Sequence, residues 1–483
     1  MGFTTATFLF GFLPITLLLY YVSPRPVKNG VLLTASLLFY AWGEVFYVAV
    51  IIASIVVNYH VGRFISRSRD NADAGRRSRL YLISGVVFNV GLLFSFKYAN
   101  FVTDNLNVLL SLLSVPRVDL KPLHLPIGIS FFTFQAISYI VDVYRKVVAA
   151  QQNIFSLALY ISLFPELLAG PIIRYQHVAG QITGRSHSLG LFALGIQRFI
   201  YGMAKKMLIA NPIGEIADSV FAITGNNLTV PLAWIGALAY TLQIYFDFSG
   251  YSDMAIGLGR MFGFRLRENF DYPYISSSVR EFWRRWHISL STWFRDYVYI
   301  SLGGNQVSTP RVYGNLIIVF SLAGIWHGAS WNFVIWGLFH GLFLASEHGG
   351  FSSILGKVWK PVRHVYVLLV VVIGWVFFRA ENLSGAMMYL RSMADVTNCH
   401  TTPLQYAQVL TSEGVYAFLV GIVLSTPVYA WMEGRLGRFA EKCSMRMAFF
   451  IDLQRLALLT SLLLLSILKV ASSTYNPFIY FRF

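Results

Sequence analysis

A histidine within an uncharged run near the middle of the chain is the first candidate for chemistry. The run from Leu316 to Ser346 has no Asp, Glu, Lys or Arg, and it contains Gly324-Ile-Trp-His-Gly-Ala-Ser-Trp-Asn332. An imidazole in an apolar membrane interior costs free energy unless it is hydrogen-bonded, so His327 is a functional candidate. The glycines and serine of this segment predict two helices or one broken helix, with the break open to a cavity. Trp326 and Asn332 adjoin the break and are candidates for substrate binding. The simpler alternative is a histidine that only ties two helices together.

A polar stretch from Glu268 to Tyr299 holds the second candidate, His287. Ser277 or Ser278 is a suitable helix cap, and Glu281 would complete a capping box with Ser278. On a helix that begins there, side chains at steps of three and four share one face. The polar side chains with this spacing are Arg280, Arg284, His287, Ser291 and Arg295.

Two interpretations of this polar face remain open. The simpler one is an interfacial helix whose arginines meet lipid headgroups and whose tryptophans lie in the aromatic belt. The other is a basic wall that holds a phosphate-bearing substrate beside His287, in which Arg284 and Arg285 bind the phosphates. Each interpretation can apply to a different side of the helix.

Other buried polar positions have weaker signals. His340 lies 13 residues after His327, or about 20 Å along a continuous helix, so we expect it to have a packing role. Asp142, Asp247 and Asp253 flank apolar runs and predict either a proton relay or ion pairs with the many arginines. The chain has no Walker loop, nucleophile elbow or His-x-x-x-x-His metal motif, and we expect no bound metal or cofactor.

The composition explains why these side chains must be positioned within a membrane. Of 483 residues, 56% are hydrophobic and only 12% are charged, whereas a soluble domain averages about 25% charged residues. The formal net charge is +16, but the basic residues fall between apolar runs, as expected for loops near anionic headgroups. Membrane lipids are therefore expected partners, and nucleic acid is not. Two cysteines exclude a disulfide framework.

Apolar runs of the length of membrane helices extend over most of the chain. A bilayer core of about 30 Å takes roughly 20 helical residues. The candidate runs are residues 7–22, 31–43, 45–62, 81–96, 101–114, 126–141, 154–173, 189–210, 229–248, 315–346, 363–378, 415–432 and 456–471. Since several are too short to cross alone, we expect about 9 to 13 membrane helices, some of them re-entrant. The first run is expected to be a retained span rather than a cleaved signal peptide.

The charge distribution predicts the topology. Arg63, Arg67, Arg69, Arg76, Arg77 and Arg79 lie between two spans, so this loop should be cytoplasmic. The more balanced segment from Ser95 to Leu125 would then lie on the opposite side. Without internal repeats or low-complexity linkers, residues 1–483 are expected to form a single integral membrane domain.

Several long motifs, in order along the chain, resemble those of the membrane-bound O-acyltransferase (MBOAT) family. They are Phe164-Pro-Glu-Leu-Leu-Ala-Gly-Pro-Ile-Ile-Arg174, Tyr245-Phe-Asp-Phe-Ser-Gly-Tyr-Ser-Asp-Met254, the Glu268 to Tyr299 stretch, Ser301-Leu-Gly-Gly-Asn305 and Ile325-Trp-His-Gly-Ala329. Within the family, the chain is most similar to the membrane subunits of bacterial alginate O-acetylation systems. The resemblance covers nearly the whole chain.

The resemblance implies an all-α polytopic protein of the inner membrane, in which tilted and re-entrant helices form a ring around a transmembrane tunnel. The essential histidine of the family falls on His327, and its second recurrent polar position falls on His287. It also implies an acetyl donor from the cytoplasm, acetyl-CoA, and a periplasmic SGNH-type partner that works with polysaccharide synthesis and export machinery. The product would be an O-acetylated exopolysaccharide such as alginate, although the resemblance leaves the polymer open.

Two rival functions remain at the level of sequence. A transporter would use the buried histidines and aspartates as a proton relay, with the arginines binding an anionic polymer. A scaffold would only anchor export machinery. An enzyme is distinguished from both because it should consume its acetyl donor.

Overall fold

The computed structural model describes residues 1–68, 74–121, 123–223, 225–442, 444–472 and 475–476, and the regular secondary structure of this part is entirely helical. In chain order the α-helices are α1 (Leu13–Val22), α2 (Lys28–Ala41), α3 (Val48–Arg67), α4 (Ala74–Leu93), α5 (Ala99–Leu112), α6 (Ile129–Tyr144), α7 (Ile154–Ser162), α8 (Phe164–Leu167), α9 (Tyr175–Gly184), α10 (Leu189–Ala204), α11 (Asn211–Phe221), α12 (Val230–Met261), α13 (Val279–Arg285), α14 (Ile288–Trp293), α15 (Thr309–His327), α16 (Trp331–Ser346), α17 (Ser352–Lys357), α18 (Lys360–Arg379), α19 (Leu383–Ala394), α20 (Pro403–Val409), α21 (Ser412–Leu424), α22 (Val428–Lys442) and α23 (Met445–Ser472). Wider π-helical turns occur at Thr7–Phe12, Phe94–Tyr98, Lys205–Ala210, Phe294–Tyr299 and Glu347–Phe351.

The chain divides into two compact units. Unit 1 comprises Met1–Gly195 and Ala255–Arg267, and unit 2 comprises Ile196–Met254 and Glu268–Phe483. Both candidate histidines lie in unit 2. The organisation of residues 1–483 as a single domain stays a prediction.

Unit 1 is built around α6, which is buried along almost its whole length. Helices α3 and α4 pack against it, and α7 packs against α2 and α3. The sequence of α6 is mostly apolar, with scattered uncharged polar side chains and no charged residue before Asp142. Such a helix has no face suited to water, and burial among other helices follows.

Unit 2 is built around a hairpin of α15 and α16, the most extensively packed helix pair in the described part of the chain. The predicted break of the long apolar run is confirmed, because α15 ends at His327 and α16 begins at Trp331. Helix α18, rich in valine, packs against α16, and the short α13 packs against both. The hairpin therefore presents the end of α15 to the core of unit 2.

Four helical segments in the described residues are long and apolar enough to cross a membrane: Val48–Arg67, Gly75–Leu112, Lys360–Arg379 and Met445–Ser472. A fifth span results if the bent pair of α20 and α21 crosses as one. These are fewer than the expected 9 to 13 because many apolar runs fold into shorter helices, such as Thr7–Val22 and Ile129–Tyr144. The all-helical, multi-pass class is confirmed, whereas the ring and the tunnel stay predictions.

Candidate active site

His327 is the last residue of α15 and lies in the core of unit 2 with 5% of its surface exposed. The helix ends there because Gly328 adopts an extended backbone conformation, with φ −165° and ψ 153°. Aromatic rings surround the imidazole: its centroid lies 4.9 Å from Trp326, 5.1 Å from Trp336 and 5.1 Å from Phe378. All three contacts are edge-on, and this arrangement restricts the orientation of the imidazole.

Close backbone contact between α15 and α16 sets the position of His327. A Cβ at Gly324 would lie 2.1 Å from the carbonyl oxygen of Phe333, and a Cβ at Gly337 would lie 2.3 Å from that of Phe320. Neither distance is possible for a real side chain. The hairpin can therefore form at this spacing only with glycine at both crossing points.

His287 occupies a sharp turn rather than a helix face. Helix α13 ends at Arg285, His287 has a left-handed φ of 43°, and α14 starts at Ile288. The predicted single face of Arg280, Arg284, His287, Ser291 and Arg295 is therefore wrong, because the helix that would align them is broken. The turn buries His287, which is 1% exposed. The predicted start of this region is confirmed, since Ser278 caps α13 and accepts the Glu281 N–H at 3.0 Å.

Asn269 holds the imidazole of His287. Its Oδ1 lies 3.2 Å from Nδ1 of His287 and accepts the backbone N–H of Ser289 at 3.1 Å. The backbone N–H identifies this atom of Asn269 as oxygen, because an amide nitrogen cannot accept a hydrogen bond. Its Nδ2 donates to the hydroxyl of Ser252 at 3.1 Å. Nδ1 of His287 must therefore be the protonated ring nitrogen, and in the neutral ring Nε2 has the lone pair.

The charge state of His287 follows from its surroundings. Burial lowers the pKa of His287 to about 3, because the charged imidazolium would lose its hydration. His287 is therefore neutral at physiological pH. A neutral imidazole with a lone pair on Nε2 accepts a hydrogen bond or a proton.

Trp326 lies between the two candidate histidines. Its ring centroid is 6.3 Å from that of His287 and 4.9 Å from that of His327. Asn332, in contrast, donates through Nδ2 to the carbonyl oxygen of Ala380 at 2.6 Å. The structure thus groups His287, Trp326 and His327, while Asn332 links the start of α16 to the end of α18.

The two arginines differ in their surroundings. The guanidinium of Arg285 pairs with Glu281 at 3.0 Å and with Asp271 at 2.8 Å. Arg284 is exposed. Since Arg285 is already paired with two carboxylates, Arg284 is the one with the more accessible charge.

His340 has the packing environment that the sequence analysis expected. It is 1% exposed, and its centroid lies 5.0 Å from Trp283 and 5.2 Å from Trp336. Gly374 on α18 leaves room for it, since a Cβ there would lie 2.6 Å from Nε2 of His340. Because Trp336 contacts both His327 and His340, the two imidazoles pack on the same indole.

Asp247 and Asp253 form ion pairs. Lys206 lies 2.6 Å from Asp247, and both side chains are buried. Arg198 and Lys205 each lie 2.6 Å from Asp253. Of the two predicted roles for these aspartates, the structure therefore supports pairing with basic residues.

Asn269 and Phe378 are among the neighbours of the histidines that could not be identified from the sequence. Asn269 lies within the polar stretch, but it contacts His287 across 18 residues. Phe378 comes from α18, far along the chain from His327. The spacing of residues in the sequence does not predict these contacts, because helical periodicity identifies only neighbours three and four positions apart.

Comparison with known proteins assigns the chain to a family. The model of the MBOAT, membrane-bound O-acyltransferase family matches residues 144–390, which include His287 and His327. The chain is 43% identical over 505 residues to the "Probable alginate O-acetylase AlgI" of Azotobacter vinelandii, with 100% of both chains covered. It is 41% identical over 525 residues to the protein of that name from Pseudomonas aeruginosa, again with 100% coverage of both. It is 35% identical to the "Peptidoglycan O-acetyltransferase" of Helicobacter pylori, over 100% of this chain and 97% of that protein.

The chain belongs to the membrane-bound O-acyltransferase family. It is a multi-pass membrane protein and an acyltransferase. The family assignment therefore supports the enzyme over the transporter and scaffold hypotheses.

Proposed function

We propose that the protein is an inner-membrane O-acetyltransferase that passes an acetyl group from a cytoplasmic donor, acetyl-CoA, towards O-acetylation of an exopolysaccharide such as alginate. The observation that supports this most is the full-length similarity to proteins named alginate O-acetylase, together with the buried His287, Trp326 and His327 group. The relative named for peptidoglycan acts on another glycan. A polysaccharide hydroxyl is the final acceptor class common to these names.

His327 is the general base in this proposal. It accepts the proton of the acceptor hydroxyl while the hydroxyl oxygen bonds to the thioester carbonyl carbon. The C–S bond then breaks, and the thiolate of the donor leaves and is protonated. A positioned base contributes about 10² to 10⁴-fold to such a step. The aromatic rings around His327 exclude water and favour the neutral form that a base requires.

His287 orients the acceptor. A second histidine beside a general base has two possible roles, orientation of the acceptor or stabilisation of the oxyanion. An oxyanion needs a hydrogen-bond donor, whereas the bond to Asn269 at Nδ1 leaves a lone pair on Nε2. The tautomer thus supports the first role, in which Nε2 accepts a hydrogen bond from another hydroxyl of the acceptor, while the proton of the reacting hydroxyl goes to His327.

Arg284 is the better of the two arginine candidates for the donor phosphates. It is exposed, whereas Arg285 is paired with Glu281 and Asp271. The ester formed on the immediate acceptor is then the acetyl source for a periplasmic SGNH-type protein, which transfers the acetyl group to a polysaccharide hydroxyl and acts together with the polysaccharide synthesis and export machinery. Trp326 is a further candidate for substrate contact because it lies between the two histidines.

The test compares two buried histidines of the same hairpin. His327→Gln keeps a polar side chain of similar volume but has no basic nitrogen, so acetyl-CoA consumption in lipid nanodiscs should fall by at least about 10²-fold. Polymer acetylation in cells should be lost, while detergent stability stays close to that of the wild type.

His340→Gln is the matched control. His340 packs on the same indole as His327, and the proposal gives it no chemical role. This variant should lose thermal stability but retain acetyl transfer per folded molecule. Near-normal acetylation by the His327→Gln variant, or equal loss in both variants at equal stability, would contradict the general-base assignment.

A further inference from the structure

A group of cationic side chains surrounds Tyr20 in unit 1, where α1 ends and α2 begins. This group, the basic cluster, consists of Arg25, Lys28, Arg185 and His187. The hydroxyl of Tyr20 lies 2.7 Å from Nε2 of His187 and accepts Nε of Arg185 at 2.9 Å. The ammonium of Lys28 lies 4.6 Å from the centroid of the Tyr20 ring. A single phenol therefore organises three cationic or basic groups.

The described residues provide no carboxylate partner for the basic cluster. Burial and the positive charges of Arg185 and Arg25 lower the pKa of Lys28. Burial and the charges of Lys28, Arg185 and Arg25 also lower the pKa of His187. The charged groups that act on these two side chains are thus all positive, and their mutual repulsion disfavours the cluster unless an anion binds.

Hydrogen-bond donors remain available on the cluster. Nη1 of Arg185 donates to Oδ1 of Asn29 at 2.6 Å, and its Nε donates to Tyr20 and to the carbonyl of Phe262. These bonds hold the guanidinium in place and leave Nη2. Arg25 is exposed and Lys28 is half-buried. Neither the guanidinium of Arg25 nor the ammonium of Lys28 makes a hydrogen bond to a described residue. Fixed and free cationic donors together fit the oxygens of a phosphate group.

The fold places the basic cluster at the predicted cytoplasmic end of unit 1. Helices α2 and α3 are consecutive, contact each other and are joined only by residues 42–47. Consecutive helices with so short a connection run antiparallel, so the start of α2 and the end of α3 lie at the same end. The arginine-rich loop predicted to be cytoplasmic follows α3.

We propose that the basic cluster is a binding site for phosphate groups. Two sources supply that chemistry on the cytoplasmic side, a soluble phosphate-bearing molecule and the headgroup of an anionic phospholipid. The proposal concerns binding, so it stands or fails separately from acetyl transfer at His327.

The experiment measures phosphate binding to the full-length protein. In one arm, inorganic pyrophosphate is titrated calorimetrically into protein in phosphatidylcholine nanodiscs. In the other, native mass spectrometry quantifies the phosphatidylglycerol retained from mixed micelles. The test variant is Arg25→Gln with Lys28→Gln, because neither side chain makes a hydrogen bond that the fold needs. The control is Arg117→Gln with Lys121→Gln, which removes the same charge from two exposed positions of unit 1.

Binding of pyrophosphate that weakens by at least about tenfold in the test variant, and not in the control, supports a soluble source. Selective retention of phosphatidylglycerol that the test variant loses supports a headgroup. Both results support the phosphate site. The proposal is overturned if the wild type binds neither probe, or if the test variant binds both as the wild type does. Arg185→Gln serves as a second variant, provided that its melting temperature shows an intact fold.

Discussion

The two histidines of the site are held by different kinds of contact. His327 is surrounded by aromatic edges, whereas His287 has a polar partner that fixes its tautomer. The proposed base, His327, must keep a lone pair available, and an apolar surrounding favours the neutral ring that has one. The proposed orienting group, His287, must present its lone pair in one direction, and a positioned hydrogen bond to the other ring nitrogen fixes that direction.

Asn269 provides a direct test of the tautomer. Asn269→Leu removes the acceptor of Nδ1, so the ring of His287 is no longer held in one orientation and kcat should fall by about tenfold or more. Asn269→Asp keeps the acceptor and adds a negative charge beside Nδ1, which should raise the pKa of His287 above its buried value. The acid limb of the rate profile should then move to higher pH.

The pH profile of the rate distinguishes a positioning role of Asn269 from a packing role. A packing defect would lower activity at every pH without moving the acid limb of the profile. Unchanged kcat in the Asn269→Leu variant, or an unshifted acid limb in an active Asn269→Asp variant, would exclude Asn269 as the positioning residue of His287.

Among the helices, the hairpin of α15 and α16 determines where the imidazole of His327, the proposed general base, lies. Gly324→Ala would place a methyl group against the carbonyl of Phe333, so the helices must separate. We expect a loss of about 1 to 3 kcal/mol in stability, together with reduced acetyl transfer because His327 moves with the end of α15. Thermal unfolding and acetyl-CoA consumption measure the two effects.

Gly314→Ala is the control for this prediction. Gly314 lies on the same helix, but a Cβ there would meet no atom within 4 Å. The substitution should leave stability and activity unchanged, or raise stability slightly through helix propensity. Equal behaviour of the two variants would show that close approach at Gly324 does not position His327.

The start of α13 is capped by a carboxylate from a distant part of the chain. Glu347 is buried and accepts the first backbone N–H groups of α13, from Val279 at 2.7 Å and Arg280 at 3.0 Å. Glu347→Gln keeps one acceptor but places an amide N–H against the other donor, which should cost about 1 to 3 kcal/mol. Glu381→Gln, at an exposed position, should leave the melting temperature unchanged. An unchanged melting temperature of the Glu347→Gln variant would mean that water replaces the carboxylate as acceptor of the first N–H groups of α13.

For the whole molecule, topology decides from which side the proposed acetyl donor would arrive. The segment Gly75–Leu112 is continuously helical and long enough to cross the membrane. A cysteine at Ala74, in a chain without Cys399 and Cys443, should therefore react with an impermeant reagent only after spheroplasts are permeabilised. A cysteine at Arg117 should react without permeabilisation. Reversed labelling would place the donor side in the periplasm and contradict the proposed direction of transfer.

The sequence by itself determined the features that depend on composition and local spacing. The scarcity of charge required a membrane, and the glycine and serine residues near His327 predicted the break between α15 and α16. Ser278 was identified as a cap because capping involves neighbours within one helical turn. The motifs around His287 and His327 were sufficient to indicate the family.

Only the tertiary structure decided which distant residues meet. The left-handed turn at His287 broke a helix that periodicity predicted to continue, since the backbone hydrogen bond from Ile288 to Asn269 holds the chain there. The partners Asn269 and Phe378, and the pairing of Asp247 with Lys206, likewise depend on how helices pack. Helical spacing specifies which side chains share a face of one helix. It contains no information on which face of another helix they contact, because packing geometry sets that register.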